Sequence, residues 1–469
     1  MIKPVILWTD ALIFVLIAVV SLFVVHAHRQ AHLREPWQRV LKSRLGMASL
    51  VIVLAYVAVG MLDSIHFRKA LPDNGNGGST HYSGEVLSLL DLWMGPVRTQ
   101  VEKSYSAPFA THLFIKLSVT DAEGRTVRAY PRLAYGGAHL DDPAERAADL
   151  RERGLRAVGQ WLVAMGALTL LLALLLARRR REPIGRVLQR ILRGQDPWPW
   201  RSFLAAFGAV LAVLFFAIHF AAAYHVLGTD KVGQDVFYQA VKSIRTGLVI
   251  GTLTTLVMLP FAILLGIMAG YFRGWVDDVI QYLYTTLNSI PGVLLIAAAI
   301  LMLQVYMANH PELFETMAER ADIRLLFLCV ILGITSWTGL CRMLRGETFK
   351  LREVDFIEAA TAFGVRHRTI ILRHILPNVM HIVLIAVVLD FSGLVLAEAV
   401  LSYVGVGVDP SMISWGNMIN RARLEMAREP MVWWSLLAAF LFMFTLVLAA
   451  NLLSDAVRDA FDPRLRRTR

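Results

Sequence analysis

Long apolar runs separated by short charged stretches dominate this 469-residue chain. The first spans Ala11 to Val25, the second Leu45 to Leu62 and the third Val158 to Ala177. Six more fall at roughly 203–224, 246–270, 277–304, 324–342, 379–402 and 432–453. Runs of this kind read as membrane-crossing helices. Two stretches break the pattern. Asp63 to Arg156 is a polar insert with a Gly-rich loop at Pro72–Gly78. In it, Leu113–Val119 and Thr126–Tyr130 alternate around Asp121-Ala122-Glu123-Gly124, which predicts a β-hairpin. The second is a basic island over 343–378. There Phe356, Ile357, Ala360 and Phe363 recur at helical spacing, Gly364 suits a helix stop, and Pro377 is expected to break a second helical segment. A helix-Gly-helix-Pro element with one apolar stripe is built to dock onto another protein; an ordinary loop between spans fits the pattern equally.

Composition narrows the class. Hydrophobic residues make up 56% and mean hydropathy is +0.55, values of a polytopic membrane protein. The formal charge of +11 would suit nucleic acid, but Lys and Arg cluster beside the apolar runs, as the positive-inside rule requires. Arg29, Arg34, Arg39, Lys42 and Arg44 follow the first run, which reads as an uncleaved anchor with its N-terminus outside. Arg178-Arg179-Arg180-Arg181 ends the third run on the inner side. After it Ile184, Val187, Leu188 and Ile191 share one face against Arg186, Arg190 and Arg193, predicting an interfacial helix before Pro197 and the belt residues Trp198 and Trp200. Alternation from there puts both the island and the Arg-rich C-terminal tail inside. The expected topology is nine spans, N-terminus out and C-terminus in. Cys329 and Cys341 give neither a disulfide framework nor a zinc spacing and read as buried thiols.

Catalytic patterns are absent from the sequence. It has no Gly-Lys dipeptide and so no phosphate-binding P-loop, no His-Glu-x-x-His, and no Gly-x-Ser-x-Gly in a strand-turn-helix setting. His367, His374 and His381 are spaced by sevens, but Pro377 is expected to interrupt their helix, so no metal ladder is assigned. Energy must come from another subunit or from an ion gradient.

The residues also carry a resemblance. Glu358-Ala359-Ala360, Gly364 and Ile375-Leu376-Pro377 resemble the EAA loop of ABC importer permeases. His225-Val226-Leu227-Gly228-Thr229-Asp230 with Gly233 and Asp235 is similar to the segment after the first core span of the dipeptide/oligopeptide/nickel permeases. Leu396–Ala399, Ser402–Gly407, Ser414–Met418 and the closing Asn451–Leu453, Asp455, Arg458-Asp459 and Asp462–Leu465 follow the C-type permease of that family. The resemblance covers about 200–469. Gln234 stands where the family usually carries Arg, and the first two hundred residues lie outside the pattern.

The resemblance implies an all-α polytopic membrane protein. A six-helix ABC importer permease core over 201–469 is preceded by two spans in 1–62, an extracytoplasmic α+β insert over 63–157, and a span with an interfacial helix in 158–200. It implies an EAA loop in which Phe356, Ile357 and Phe363 fill a socket on an ATPase subunit, Glu358, Ala359 and Ala360 belong to the contact, Gly364 permits the turn and Pro377 closes the element. Implied partners are two ABC ATPase subunits binding ATP and Mg, a second homologous permease, an extracytoplasmic substrate-binding protein and the bilayer. No cofactor, metal, catalytic residue or nucleic acid is assigned to this chain, whose place would be the bacterial inner membrane. Peptides, nickel complexes and peptide-like compounds are all cargo of such permeases. Asp390 and Glu398 are acidic residues within a span; there Asp390 either lines the pathway, attracting an amino group or cation, or hydrogen-bonds a neighbouring helix. The segments 226–243 and 405–430 offer Gly228, Thr229, Asp230, Asp235, Asp409 and Trp415 to the binding protein, or form turns capped by the Asp side chains. An ion-coupled secondary transporter using Asp390 and a sensor using the insert are the rival classes.

Overall fold

The computed structural model describes residues 2–29, 31–70, 82–120, 125–313 and 316–461. The Pro72–Gly78 loop, the Asp121–Gly124 turn and Asp462–Leu465 lie outside them. Helices α1 (Trp8–Arg29), α2 (Ala31–Lys42) and α3 (Arg44–Asp63) open the chain. The insert follows with β2 (His66–Lys69), β3 (Leu87–Ser88), α4 (Leu89–Trp93), α5 (Gly95–Thr99), β4 (Leu117–Thr120) and β5 (Thr126–Ala129). N-terminal strand β1 (Ile2–Val5) pairs antiparallel with β2, Val5 opposite His66, and β2 pairs with β3. The predicted hairpin is present as β4–β5, with Leu117 opposite Ala129 and Thr120 opposite Thr126.

The remaining helices are α6 (Arg146–Arg180), α7 (Ile184–Arg193), α8 (Trp200–Phe220), α9 (Val236–Phe272), α10 (Trp275–Ser289), α11 (Gly292–Asn309) and α12 (Met317–Ser336). They are followed by α13 (Thr338–Arg352), α14 (Asp355–Ala362), α15 (His367–Ile370), α16 (Leu376–Val404), α17 (Trp415–Glu425) and α18 (Trp434–Phe461). Among the described residues, eight helical stretches are long and apolar enough to cross a membrane, and the apolar part of α1, Trp8–Leu22, is shorter. The chain is a multi-pass membrane protein.

Two breaks were misplaced by the sequence pattern. The continuous span expected at 277–304 is two helices, because Ile290 is extended (φ −92°, ψ 128°) ahead of Pro291, as the ring of a following proline requires. Conversely, Pro377 breaks nothing. A π-turn over Ile371–Ile375 joins α15 to α16, and Pro377 lies in the first turn of α16, where a missing N–H is tolerated.

The chain forms two compact units that interleave in sequence. One comprises Met1–Val5, Trp37–Thr246 and Ile413–Leu453. In it α6 and α3 pack on α8, and α7 folds back so that Val187 and Ile191 are buried with Ala173, Ala177 and Leu204. The other comprises Ile6–Pro36, Gly247–Met412 and Ser454–Arg469. Here α1 packs on α12, where the Thr9 amide donates to Asp322 Oδ2 (3.1 Å). Because lipid is as apolar as leucine, close packing rather than transfer from water must hold such helices together. The Gly266-x-x-x-Gly270 pair on α9 supplies it: a Cβ at Gly266 would meet the Cys341 carbonyl oxygen at 2.8 Å, and one at Gly270 would meet Thr348 Cβ at 2.6 Å. Helix α13 therefore lies directly on the backbone of α9. Cys329 and Cys341 are both free and buried.

Candidate functional site

The island at 343–378 is built on that α9–α13 contact. Helix α14 ends in a Schellman closure: Gly364 N–H donates to Thr361 O (3.0 Å) and Val365 N–H to Ala360 O (3.0 Å). Gly364 sits at φ +71°, a left-handed conformation that costs other residues about 1–2 kcal/mol. Nothing lies within 4 Å of where its Cβ would be, so backbone conformation, not space, selects glycine.

The side chains divide sharply between inside and outside. Ile357 is 1% exposed and packs in this chain's own core with Leu344, Ile370, Ile375 and Val379. It therefore anchors α14 inward and cannot fill a partner's socket, a correction to the reading from spacing. Ala360 is half-buried against the same core, whereas Glu358 and Ala359 are exposed. Phe356 is 46% and Phe363 85% exposed. Pro377 is exposed on the first turn of α16.

The end of α9 grips the island from both sides. Tyr271 Oη lies 2.8 Å from His367 Nδ1, beyond Gly364. On the near side Arg352 Nη1 donates to Tyr271 O (2.7 Å) and Arg273 Nη2 to Glu353 Oε1 (2.6 Å). Arg345 holds Asp277 on α10 through paired bonds of 2.5 and 2.7 Å. Apart from His367, none of these partners was singled out by motif; only the Gly266–Gly270 spacing could have pointed to the α9 contact. The three evenly spaced histidines do not converge. His367 takes Tyr271, the His374 ring lies 6.1 Å from that of Phe356, and His381 Nδ1 contacts Asn378 O (2.8 Å).

Within α16, Asp390 is half-buried, and its carboxylate has no hydrogen bond or ion pair among the described residues. Glu398 is 2% exposed and accepts from Ser402 Oγ (2.8 Å), one turn on in the same helix.

The residues offered to a binding protein have a different fate. The segment 225–235 lies beneath the insert residues Glu102–Ser106. Thr229 is fully buried: its Oγ1 donates to Ser104 O (2.8 Å) and accepts from Ser106 N–H (2.6 Å), while Trp434 Nε1 donates to Thr229 O (2.9 Å). Gly228 (φ +69°) has Ser106 O 2.4 Å from its would-be Cβ, and Gly233 (φ +78°) has Glu102 O at 1.8 Å. Asp235 accepts from Tyr238 N–H (3.0 Å), capping α9, and meets His225 Nδ1 at 2.8 Å. Asp230, half-exposed, accepts from Val232 and Gln234 N–H (3.0 and 2.9 Å), the turn-capping role that its sequence setting allowed. Trp415 is 1% exposed and donates to Ala240 O (3.0 Å). Asp409, apart from these, faces Arg324 at 3.4 Å. Apart from Asp230 and Asp409, which are half-exposed, the residues offered to a binding protein are thus interior.

At the centre of the covered segment His225 sits between Asp235 and Glu102, whose Oε1 is 3.5 Å from Nε2. Burial would drive the proton off His225, but the two carboxylates outweigh it and push its pKa up to about 9. Burial would likewise raise Glu102; the His225 contact and three backbone N–H donors, from Ala134, Tyr135 and Gly136, hold it down at about 2. A second cluster ties the insert to the start of α9: Lys242 Nζ lies 3.1 Å from Asp63 and 2.5 Å from Asp91, and Tyr238 Oη donates to Asp91 (2.6 Å).

Residues 262–467 match the family described as binding-protein-dependent transport system inner membrane component. A glutathione transport system permease protein of Pectobacterium atrosepticum is 32% identical over 302 residues, covering 58% of this chain and 93% of the relative. The chain belongs to this family. Other similar permeases are an oligopeptide transport system permease protein of Mycobacterium tuberculosis, 33% identical over 52% of this chain and 78% of the relative, and a dipeptide transport system permease protein of Bacillus subtilis, 29% identical over 52% and 70%. As a permease of this family, the chain is an inner-membrane component of a binding-protein-dependent transport system, and the 343–378 island lies inside the matched region.

Proposed function

We propose that this permease carries peptides or peptide-like compounds inward across the bacterial inner membrane, driven by ATP hydrolysed in separate subunits. The observation that carries the reading is α14: a short helix anchored inward by Ile357, closed by Gly364, and displaying Phe356, Glu358 and Phe363 outward. That is the form of a male docking element, and the chain's lack of a P-loop leaves the motor to its partners. Closure of two ATPase subunits around ATP and Mg would push α14, and the grip of Tyr271, Arg352 and Arg273 would pass the push to α9 as a rigid-body movement. The chain itself would hold no cofactor and hydrolyse nothing.

The peptide class follows the names of the similar permeases. The carboxylate of Asp390, midway along α16 and without a partner among the described residues, supports it by offering a site for a cargo amino group. Completion of the pathway calls for a second, homologous permease, and delivery for an external binding protein. The topology of this reading is nine spans including α1, with the N-terminus outside and the island and C-terminus inside. Co-purification from native membranes tests it: two ATPase subunits and a second permease accompany the chain, whereas a lone chain that transports would overturn the reading.

A further inference from the structure

The end of α6 and helix α7 carry a concentration of arginine with few acids to balance it. In the stretch 178–193 seven arginines stand against the single acid Glu182, with Asp196 just beyond. Both acids are already engaged. Arg180 holds Asp196 through bonds of 2.6 and 3.0 Å, which keep the Asp196 carboxyl below its usual range, and Arg190 pairs with Glu182. Arg178, Arg179, Arg181 and Arg186 are exposed, and no carboxylate pairs with any of them among the described residues. Lys42, at the end of α2, joins the patch, its Nζ 6.0 Å above the Trp198 ring.

Two further features say what covers this face. Val187 and Ile191 are buried against α6 and α8, so α7 is pinned and its arginines are held in place. Beside them Leu171, Leu175 and Leu192 are 54%, 56% and 61% exposed, an apolar border next to guanidinium groups. Phosphate oxygens at the arginines and acyl chains along the leucines satisfy both halves; an acidic protein surface would satisfy only the first.

We infer that this basic face binds the phosphodiester headgroups of anionic phospholipid and so fastens the N-terminal extension to one leaflet. The inference is independent of what the permease carries; only the choice of leaflet rests on the proposed topology.

The full chain, delipidated and titrated with phosphatidylglycerol or phosphatidylcholine, tests it by native mass spectrometry. The combined Arg178→Gln, Arg179→Gln and Arg186→Gln variant is expected to bind phosphatidylglycerol more weakly by about fivefold for each arginine, with phosphatidylcholine unaffected. Arg180, Arg181, Arg190 and Arg193 remain to mark the membrane side, and the same three positions changed to Lys are expected to retain most of the affinity. Equal phosphatidylglycerol binding by wild type and the Gln variant overturns the inference. So does unchanged lipid binding with loss of a co-purifying subunit, which would make the face a protein contact, or displacement of the lipid by inorganic phosphate.

Discussion

The island at 343–378 and the segment at 225–235 both carry motifs in the expected order, yet one is presented and the other covered. In the island, Ile357 and Ala360 secure α14 from within, leaving Phe356, Glu358 and Phe363 outward. In the other, Thr229 and Asp235 point inward, and insert backbone occupies the space beside Gly228 and Gly233. A motif of the same quality can therefore be a contact surface in one place and an internal fastening in another. What decides is whether another part of the chain reaches it first. Here the N-terminal extension reaches the 225–235 segment, and insert residues cover what the loop would otherwise leave bare.

Substitution should separate the two regions, with stability and coupling responding in opposite proportion. Gly233→Ala places a methyl group against the Glu102 backbone, at a left-handed φ, with no flexible side chain to yield. Several kcal/mol of destabilisation is expected, about the limit for a point change, read as loss of folded chain in a thermal melt. His225→Leu leaves the buried Asp235 and Glu102 carboxylates without their shared cation and should cost about 3–5 kcal/mol in the same assay.

The His225 pair also fixes a pH signature. A raised His pKa contributes stability that is complete below about 6.5 and lost as pH rises through about 9. The depressed Glu102 contributes above 4.5 and loses its effect as pH falls through about 2. Thermal stability should therefore decline between pH 6.5 and 9, and His225→Gln should flatten that decline. A slope unchanged by His225→Gln would show that the cluster does not fasten the insert.

In the island the balance reverses. Gly364→Asp should cost only about 1–2 kcal/mol, the left-handed penalty, yet abolish substrate-stimulated ATP hydrolysis in the assembled complex. Phe363→Ala, at a residue 85% exposed, should shift stability by no more than about 0.5 kcal/mol while lowering stimulated hydrolysis several-fold. Equal losses of stability in the two regions would erase the distinction.

Much of this was legible in the residues. Apolar runs located most of the long apolar helices, alternation located the β4–β5 hairpin, and Gly364 marked the end of α14. Pro291 was legible too, but the length of the apolar run around it masked the break. The rest depended on partners distant in sequence. Ile357 and Phe356 are adjacent apolar residues, and only the core behind Ile357 decides which one faces inward. Pro377 was tolerated because a π-turn precedes it, an arrangement with no compositional mark. Thr229 is buried by Ser104 and Ser106, more than a hundred residues upstream, in the stretch that no family motif covers. The Tyr271–His367 grip joins residues 96 apart, and the even spacing of His367 with His374 and His381 pointed to no such partner.

The central claim is that partner hydrolysis enters this permease through the exposed face of α14. Glu358→Lys reverses the charge on that face without touching the core beneath it. In the reconstituted complex, the variant is predicted to retain its place in the membrane and its melting temperature while losing substrate-stimulated ATPase activity and uptake. Stimulation and uptake at wild-type levels in that variant would contradict the account.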